Sequence, residues 1–196
     1  FQVALALHCN TNEYLYDQTE EETEFLNRLE ASVEKKISRG KQPDPQELLC
    51  LASYKVLNEY SWISKITFPT RLKELQIRQV TEPQIEEQLK NKIKRHTIIT
   101  DNTSRIVGQQ YEKRPYPRYT SLRLSSSALN ITQVVQVAKL KLSDSKITTV
   151  ESPEVLIAGC GTGSHSISSA ARYARSKILA IDLSLSSLAF AQRKTH

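Results

Sequence analysis

Apolar residues in the first 150 positions recur mostly at the three- and four-residue spacing of a helix. One predicted helix begins after Thr19, because Glu22 lies three positions on and can complete a capping box. Gly40 is the residue that we expect to end this helix. The apolar stripe of this helix comprises Leu26, Leu29, Val33 and Ile37.

The run from Asp44 to Glu47 predicts the start of a second helix. Asp44 can cap the helix, Pro45 suits its first position, and Glu47 is placed to return a carboxylate to the cap. The predicted buried stripe that follows comprises Leu48, Leu51, Ala52, Val56 and Leu57.

Two further helices are predicted before position 150. Thr81 and Gln84 mark the start of the third, with a narrow stripe of Ile85, Leu89 and Ile93. The fourth begins at Asn130, and its inward residues are expected to be Val134, Val137, Ala138 and Leu142.

A proline-rich segment lies between the third and fourth predicted helices. Pro115 and Pro117 are separated by one residue, which favours an extended path, so residues 111–119 are predicted to be a rigid, aromatic and basic connector. Tyr111, Tyr116 and Arg118 could close over a cofactor or substrate, or could belong to a strap between two parts of the protein.

The pattern changes after Pro153. Residues 155–158 and 178–181 are short continuous apolar runs, which are typical of strands buried on both faces. The first run is followed by a helical stripe of Ile167, Ala170, Ala171 and Ala174. Ser184 or Ser186 can cap a helix after the second run. The order strand, helix, strand, helix predicts a parallel sheet and an α/β fold.

Composition narrows the class of protein. In 196 residues, 39% are hydrophobic and 24% charged, as in soluble globular proteins. No apolar run is long enough to span a membrane. The three cysteines are odd in number and far apart in sequence, which argues against a disulfide framework or a metal site and indicates a reducing, cytoplasmic setting. A net charge of +6 can indicate affinity for nucleic acid or a membrane surface, but we do not predict either partner, because we expect the chain to be part of a longer protein with a different total charge.

The glycine loop Gly159-Cys160-Gly161-Thr162-Gly163 carries the predicted chemistry. It follows a strand directly, and its glycines let a ligand lie against the backbone. The next helix would point its positive end at the same place. Asp182 ends the second strand, where an acid can accept hydrogen bonds from ribose hydroxyls. Together these features predict a nucleoside pocket. Cys160 is interpreted as a small loop residue and His165 as a solvated side chain.

The spacing of the glycines bears on which nucleoside is bound. A dinucleotide fingerprint needs its third glycine at position 164, which is Ser164. The runs 155–163 and 178–191 instead resemble class I S-adenosylmethionine-dependent methyltransferases, and in particular bacterial ones linked to tetratricopeptide repeats. The segment 110–118 is also similar to a stretch ahead of the catalytic domain in those proteins.

This resemblance implies a fold, a cofactor and a set of site residues. A mostly helical N-terminal region (1–120, with the connector at its end) and a connecting helix (121–152) would precede the start of a Rossmann-like domain (153–196). The glycine loop would lie along the methionine part of S-adenosylmethionine. Asp182 would hold the ribose, with Leu183 beside it in the pocket. Ala158 departs from the family, where many members carry an acid.

Methyl transfer needs mainly the alignment of an acceptor with the methyl group. Residues for that step usually come from later strands, and we expect the domain to continue beyond His196, so the sequence names no catalytic base. The chain alone is expected to be poorly stable and inactive. The methyl acceptor, protein or small molecule, stays open, and protein partners could bind through upstream repeats. A non-catalytic nucleotide-binding or interaction module and, less favoured, an NAD-dependent oxidoreductase remain alternatives.

Overall fold

The fold is α/β, with helices along most of the chain and a parallel sheet of two strands. The structure is a computed structural model that describes residues 1–95, 101–113 and 115–195. The chain forms two compact units, Phe1–Glu87 and Gln88–His196. No helix in these described ranges combines the length and the apolar character needed to cross a bilayer.

Two helices of the first unit begin at the predicted capping boxes, at Thr19 and Asp44. The α-helices of this unit are α1 (Gln2–Thr11), α2 (Glu20–Ser38) and α3 (Pro45–Ala52), followed by α4 (Lys73–Gln76) and α5 (Glu82–Lys90), which extends into the second unit. Thr19 accepts from the Glu22 backbone N–H and Glu22 accepts from that of Thr19, so the predicted capping box is confirmed. Asp44 and Glu47 form the second box at the start of α3.

The third predicted helix start coincides with the first residue of α5, Glu82, but it is not a free helix end. Thr81 lies inside a continuous helical stretch, because a π-helical turn (Ile77–Thr81) joins α4 to α5. This turn carries Gln79, which is fully buried and accepts from the Leu57 backbone N–H at 3.2 Å. Its amide donates to the carbonyls of Ala6 and Ala52 at 3.3 and 2.9 Å. Tertiary hydrogen bonds of Gln79 therefore keep the chain helical just ahead of the position where local signals predict a new helix start.

A single apolar cluster fills the first unit. Its largest fully buried side chains come from α2, α3, α4 and the short 3₁₀ turns between α3 and α4. Leu57 belongs to it but lies beyond the end of α3, in the turn Leu57–Glu59. The cluster comprises Ala6, Val33, Ile37, Leu48, Leu49, Leu51, Ala52, Leu57, Tyr60, Trp62, Ile63, Leu72, Leu75 and Val80.

In the second unit, the observed elements differ from the predicted connector (111–119) and connecting helix (121–152). Tyr111 lies in a helix, α6 (Asn102–Lys113), so the extended path begins only after it. Between 121 and 152 the α-helix is limited to α7 (Ile131–Val137), with the capping box of Asn130 and Gln133 at its start. Val137 is 74% exposed and Leu142 lies outside the helix and is exposed, so their predicted inward positions are wrong.

The two strands are β1 (Glu154–Ala158) and β2 (Lys177–Ile181). They pair in parallel, with Val155 opposite Ile178, as the order of elements predicts. The helix α8 (Ser164–Arg172) joins them and contacts β2, and α9 (Leu185–Arg193) follows β2. Leu156 and Leu179 are 61% and 63% exposed, so the prediction of strands buried on both faces is wrong. A continuous apolar run does not distinguish one covered face from two.

Candidate functional site

The glycine loop is fastened to the end of the neighbouring strand. The backbone N–H groups of Gly159 and Cys160 both donate to the Ile181 carbonyl, at 2.9 and 3.0 Å. The three glycines have φ values of +70°, +53° and +86° at positions 159, 161 and 163. Side chains of L residues rarely tolerate that conformation, so the path of this loop depends on glycine.

The glycines differ in what lies beside them. A Cβ at Gly159 or Gly161 would meet nothing within 4 Å, so the space along this side of the loop is open. A Cβ at Gly163 would lie 2.5 Å from the Cβ of Ala191 on α9. The first two glycines therefore leave room for a ligand, whereas the third lets α9 pack against the loop.

Asp182 lies beside the loop, at the carboxyl end of β2. Its Oδ2 accepts from the Gly161 backbone N–H at 2.7 Å, and its Oδ1 accepts from the Ser184 backbone N–H at 2.9 Å. The structure thus brings together the loop and the acid that the sequence singles out. Each carboxylate oxygen has further lone pairs, so Asp182 can also accept from ligand hydroxyls.

The N-terminus of α8 adds positive potential at the same place. Its N-cap is Gly163, and within the described residues no side chain caps it. The N-terminus of α9, in contrast, is capped by Ser184, as one of the two predicted candidates. The first-turn N–H groups of α8, at Ser164, His165 and Ser166, are suited to an anionic group. The side chain of His165 is exposed.

The thiol of Cys160 is buried in the loop and lies 3.7 Å from the Gly161 carbonyl oxygen. Burial, together with the nearby charge of Asp182, raises the pKa of Cys160. The thiol is therefore neutral at neutral pH, and a neutral thiol is a weak nucleophile.

Residues 117–119 of the proline-rich segment are hydrogen-bonded to the glycine loop. Thr162 donates its hydroxyl to the Pro117 carbonyl, and Tyr119 donates its hydroxyl to the Thr162 carbonyl, both at 2.9 Å. The Tyr119 ring also packs edge-on against the buried Phe190, with 5.2 Å between ring centroids. These contacts fasten residues 117–119 to the loop and to α9.

The three residues that the sequence singles out in that segment, Tyr111, Tyr116 and Arg118, have different surroundings. Tyr111 and Tyr116 are 44% and 64% exposed, and neither contacts the loop through a hydrogen bond or ring within the described residues. Arg118 places its guanidinium 5.5 Å from the centroid of the Phe190 ring. Sequence reasoning missed Tyr119, although it lies within the segment 111–119 that the sequence singles out.

Glu112 on α6 is the second residue that sequence reasoning missed. Its Oε2 accepts from the Ser186 backbone N–H at 2.9 Å and from the Ser184 hydroxyl at 3.1 Å. Burial opposes ionisation, but the hydrogen bonds from Ser186 and Ser184 and the charge of Lys90 outweigh it. The pKa of Glu112 is consequently held below its usual range. No local motif announces this residue.

Leu183, which follows Asp182, is 53% exposed at the same edge of the sheet. Across the described ranges no group of His, Cys, Asp or Glu side chains is arranged to hold a metal ion. The chain matches no protein-family profile, no curated protein and no solved structure.

Proposed function

We propose that the chain carries the cofactor-binding part of an S-adenosylmethionine-dependent methyltransferase with a Rossmann-like catalytic domain. The observation that carries the proposal is the hydrogen bond between Asp182 and Gly161, which sets a carboxylate beside a glycine loop at the carboxyl edge of a parallel sheet. Ligands bind at that edge in open α/β sheets. The G-x-G-x-G spacing supports S-adenosylmethionine over a dinucleotide.

The residues present fit this cofactor in three respects. The side of Gly159 and Gly161 is open, so a ligand can approach the backbone. The first turn of α8 has no side-chain cap from the part of the chain that the structure describes, and it suits the carboxylate of the methionine part. Asp182 has lone pairs left for the ribose hydroxyls. When bound, S-adenosylmethionine supplies an activated methyl group, and the role of these residues is to bind and orient it.

A binding module without catalysis is the second candidate, and Ala158 favours it. Many class I methyltransferases carry an acid at this position, and the side chain of Ala158 offers no acceptor for the cofactor's amino group. A methyl-transfer assay on a cell lysate, with the complete gene product added and S-adenosylmethionine labelled in its methyl group, separates the two candidates. Labelled acceptor supports the enzyme, whereas cofactor binding without any labelled acceptor supports the module.

The test of the proposal is a calorimetric titration with S-adenosylhomocysteine. It is made on the longest natural chain that contains residues 1–196. Asp182→Ala is expected to weaken binding by about tenfold to a hundredfold, because hydrogen bonds to a charged acceptor are lost at the ligand and at Gly161.

Asp144→Ala is the matched control for this titration. Asp144 also accepts a backbone hydrogen bond, from Lys146 at 2.8 Å, but it caps a 3₁₀ turn between α7 and β1 and, within the described residues, makes no hydrogen bond to the loop. Its substitution is expected to leave binding unchanged. No binding by the unsubstituted protein, or equal binding by the Asp182→Ala variant, would rule out the proposed pocket. Preferential binding of NAD would favour the oxidoreductase.

A further inference from the structure

A chain of hydrogen bonds leads from α6 to the glycine loop through Ser184. Glu112 accepts from the Ser184 hydroxyl at 3.1 Å, and the Ser184 backbone N–H donates to Asp182 at 2.9 Å. Asp182 in turn accepts from Gly161 at 2.7 Å. One residue, Ser184, thus contacts both carboxylates.

The middle of this chain is the most buried part. Ser184 has no exposed surface, and its hydroxyl also accepts from the Ser187 backbone N–H at 3.0 Å. A hydroxyl that donates to one group and accepts from another has its orientation fixed by both. The Ser186 backbone N–H adds a second bond to Glu112, at 2.9 Å. Glu112 therefore holds the first turn of α9 at two points.

The placement of Asp182 depends on that first turn. Its Oδ1 is bonded to the backbone of Ser184, so any shift of the turn moves the carboxylate relative to the loop. Hydrogen bonds to a charged acceptor are shorter and stronger than neutral ones. Glu112 supplies such an acceptor from α6, which precedes both strands and the glycine loop in sequence. Removing Glu112 would leave Ser184 and Ser186 without this partner.

We infer that Glu112 is a positioning residue for the cofactor pocket, acting through Ser184 on Asp182 and the glycine loop. The inference rests on the proposed function for its cofactor. It makes α6, ahead of the strands in sequence, part of the pocket's supporting structure.

The test combines two measurements on the longest natural chain that contains residues 1–196. The first is the dissociation constant for S-adenosylhomocysteine, taken well below the melting temperature of each variant. The second is the hydrogen-exchange rate of the Gly161 amide without ligand. Glu112→Ala is expected to weaken binding and to speed exchange, each by about tenfold.

Three further variants sharpen the test. Glu112→Gln keeps an oxygen that can accept from Ser186 and is expected to restore part of both effects. In a Ser184→Ala background, Glu112→Ala is expected to have a smaller effect, since the two residues act in one chain. Glu154→Ala is the control, because this exposed carboxylate contacts the exposed Lys177 at the start of the sheet. It is expected to change neither measurement.

The outcomes separate the two proposals. A lower melting temperature for Glu112→Ala and Glu112→Gln, with binding and Gly161 exchange as in the unsubstituted protein, would show that Glu112 only stabilises the fold and would overturn the inference. If the unsubstituted protein does not bind S-adenosylhomocysteine, the proposed function fails. Faster Gly161 exchange in Glu112→Ala would then still support the positioning role, and unchanged exchange would overturn it as well.

Discussion

The two compact units bury different kinds of side chain. The first unit, Phe1–Glu87, buries a cluster of mostly aliphatic residues from several helices, with the amide of Gln79 bonded inside it. Among the described residues of the second unit, the buried apolar side chains include Ile157, Cys160, Ala189 and Phe190. Serine and threonine take most of the other buried positions there, namely Thr162, Ser166, Ser169, Ser184, Ser186 and Ser187.

This difference separates what stabilises a region from what shapes a site. Apolar burial is non-directional and scales with the area removed from water, so it stabilises a unit without fixing single groups. Buried hydroxyls are costly unless they are hydrogen-bonded, and their bonds fix positions. The glycine loop, Asp182 and the start of α9 are held by such bonds. We therefore expect substitutions in the two units to have different effects on stability and on ligand binding.

The largest effect is expected from cavity formation in the first unit. Leu51 is 1% exposed, and Leu51→Ala should lower the free energy of unfolding of this unit by about 2–5 kcal/mol. Leu156→Ala, on the open face of the sheet, should change that of the second unit by about 0.5 kcal/mol or less. Hydrogen exchange followed by mass spectrometry measures both units separately. Similar losses for the two variants would contradict this contrast.

The next largest effect is expected at Gly163. Gly163→Ala combines a left-handed backbone with a contact to Ala191, and should destabilise the second unit by about 2–4 kcal/mol. Gly159→Ala has a similar φ but open space, so about 1–2 kcal/mol is expected. Denaturant unfolding of the two variants measures the difference. A Gly163→Ala variant as stable as Gly159→Ala would show that α9 does not pack tightly on the loop.

A smaller effect is expected from acid. The pKa of Glu112 is lowered in the folded protein from the ordinary value of 4.5, so its stabilising contribution is present above that value and is lost as the pH falls through the folded pKa. The stability difference between the unsubstituted protein and Glu112→Gln should be constant near neutral pH and shrink below about pH 4.5. Thermal unfolding of both proteins, measured at intervals of about one pH unit between about pH 3 and 7, gives this stability difference. A difference that grows in acid would contradict it.

The smallest effect is expected at Cys160. Its thiol makes a long contact to the Gly161 carbonyl, and its raised pKa keeps it neutral. Cys160→Ala should leave the affinity for S-adenosylhomocysteine within about twofold, because the backbone and not the thiol shapes the loop. A loss as large as that of Asp182→Ala would assign the thiol a direct role.

Local signals predicted the parts of the fold that depend on local bonds. The caps at Thr19, Asp44, Asn130 and Ser184 connect residues two or three positions apart. The approach of Asp182 to the glycine loop was also predictable. Parallel strands bring their carboxyl ends to the same edge, and the sequence marks both strands.

Other parts depend on partners distant in sequence, and no pattern announces them. Glu112 lies 72 residues before Ser184, and Tyr119 lies 43 residues before Thr162. Gln79 bonds to Ala6, 73 residues away, and lies in the π-helical turn that makes the helix continuous up to the predicted start at Thr81. Such contacts are set by the packing of whole elements, which a stripe of apolar residues does not specify.

The most direct test of the central claim is a titration with S-adenosylhomocysteine followed by nuclear magnetic resonance. It is made on the longest natural chain that contains residues 1–196, with assigned backbone amides. Saturable shifts are predicted at Gly159, Gly161, Gly163 and Asp182, together with the first turn of α8. Asp182→Ala should need more ligand to reach saturation. No shifts, or saturable shifts confined to residues away from the loop, would contradict a cofactor pocket at this edge of the sheet.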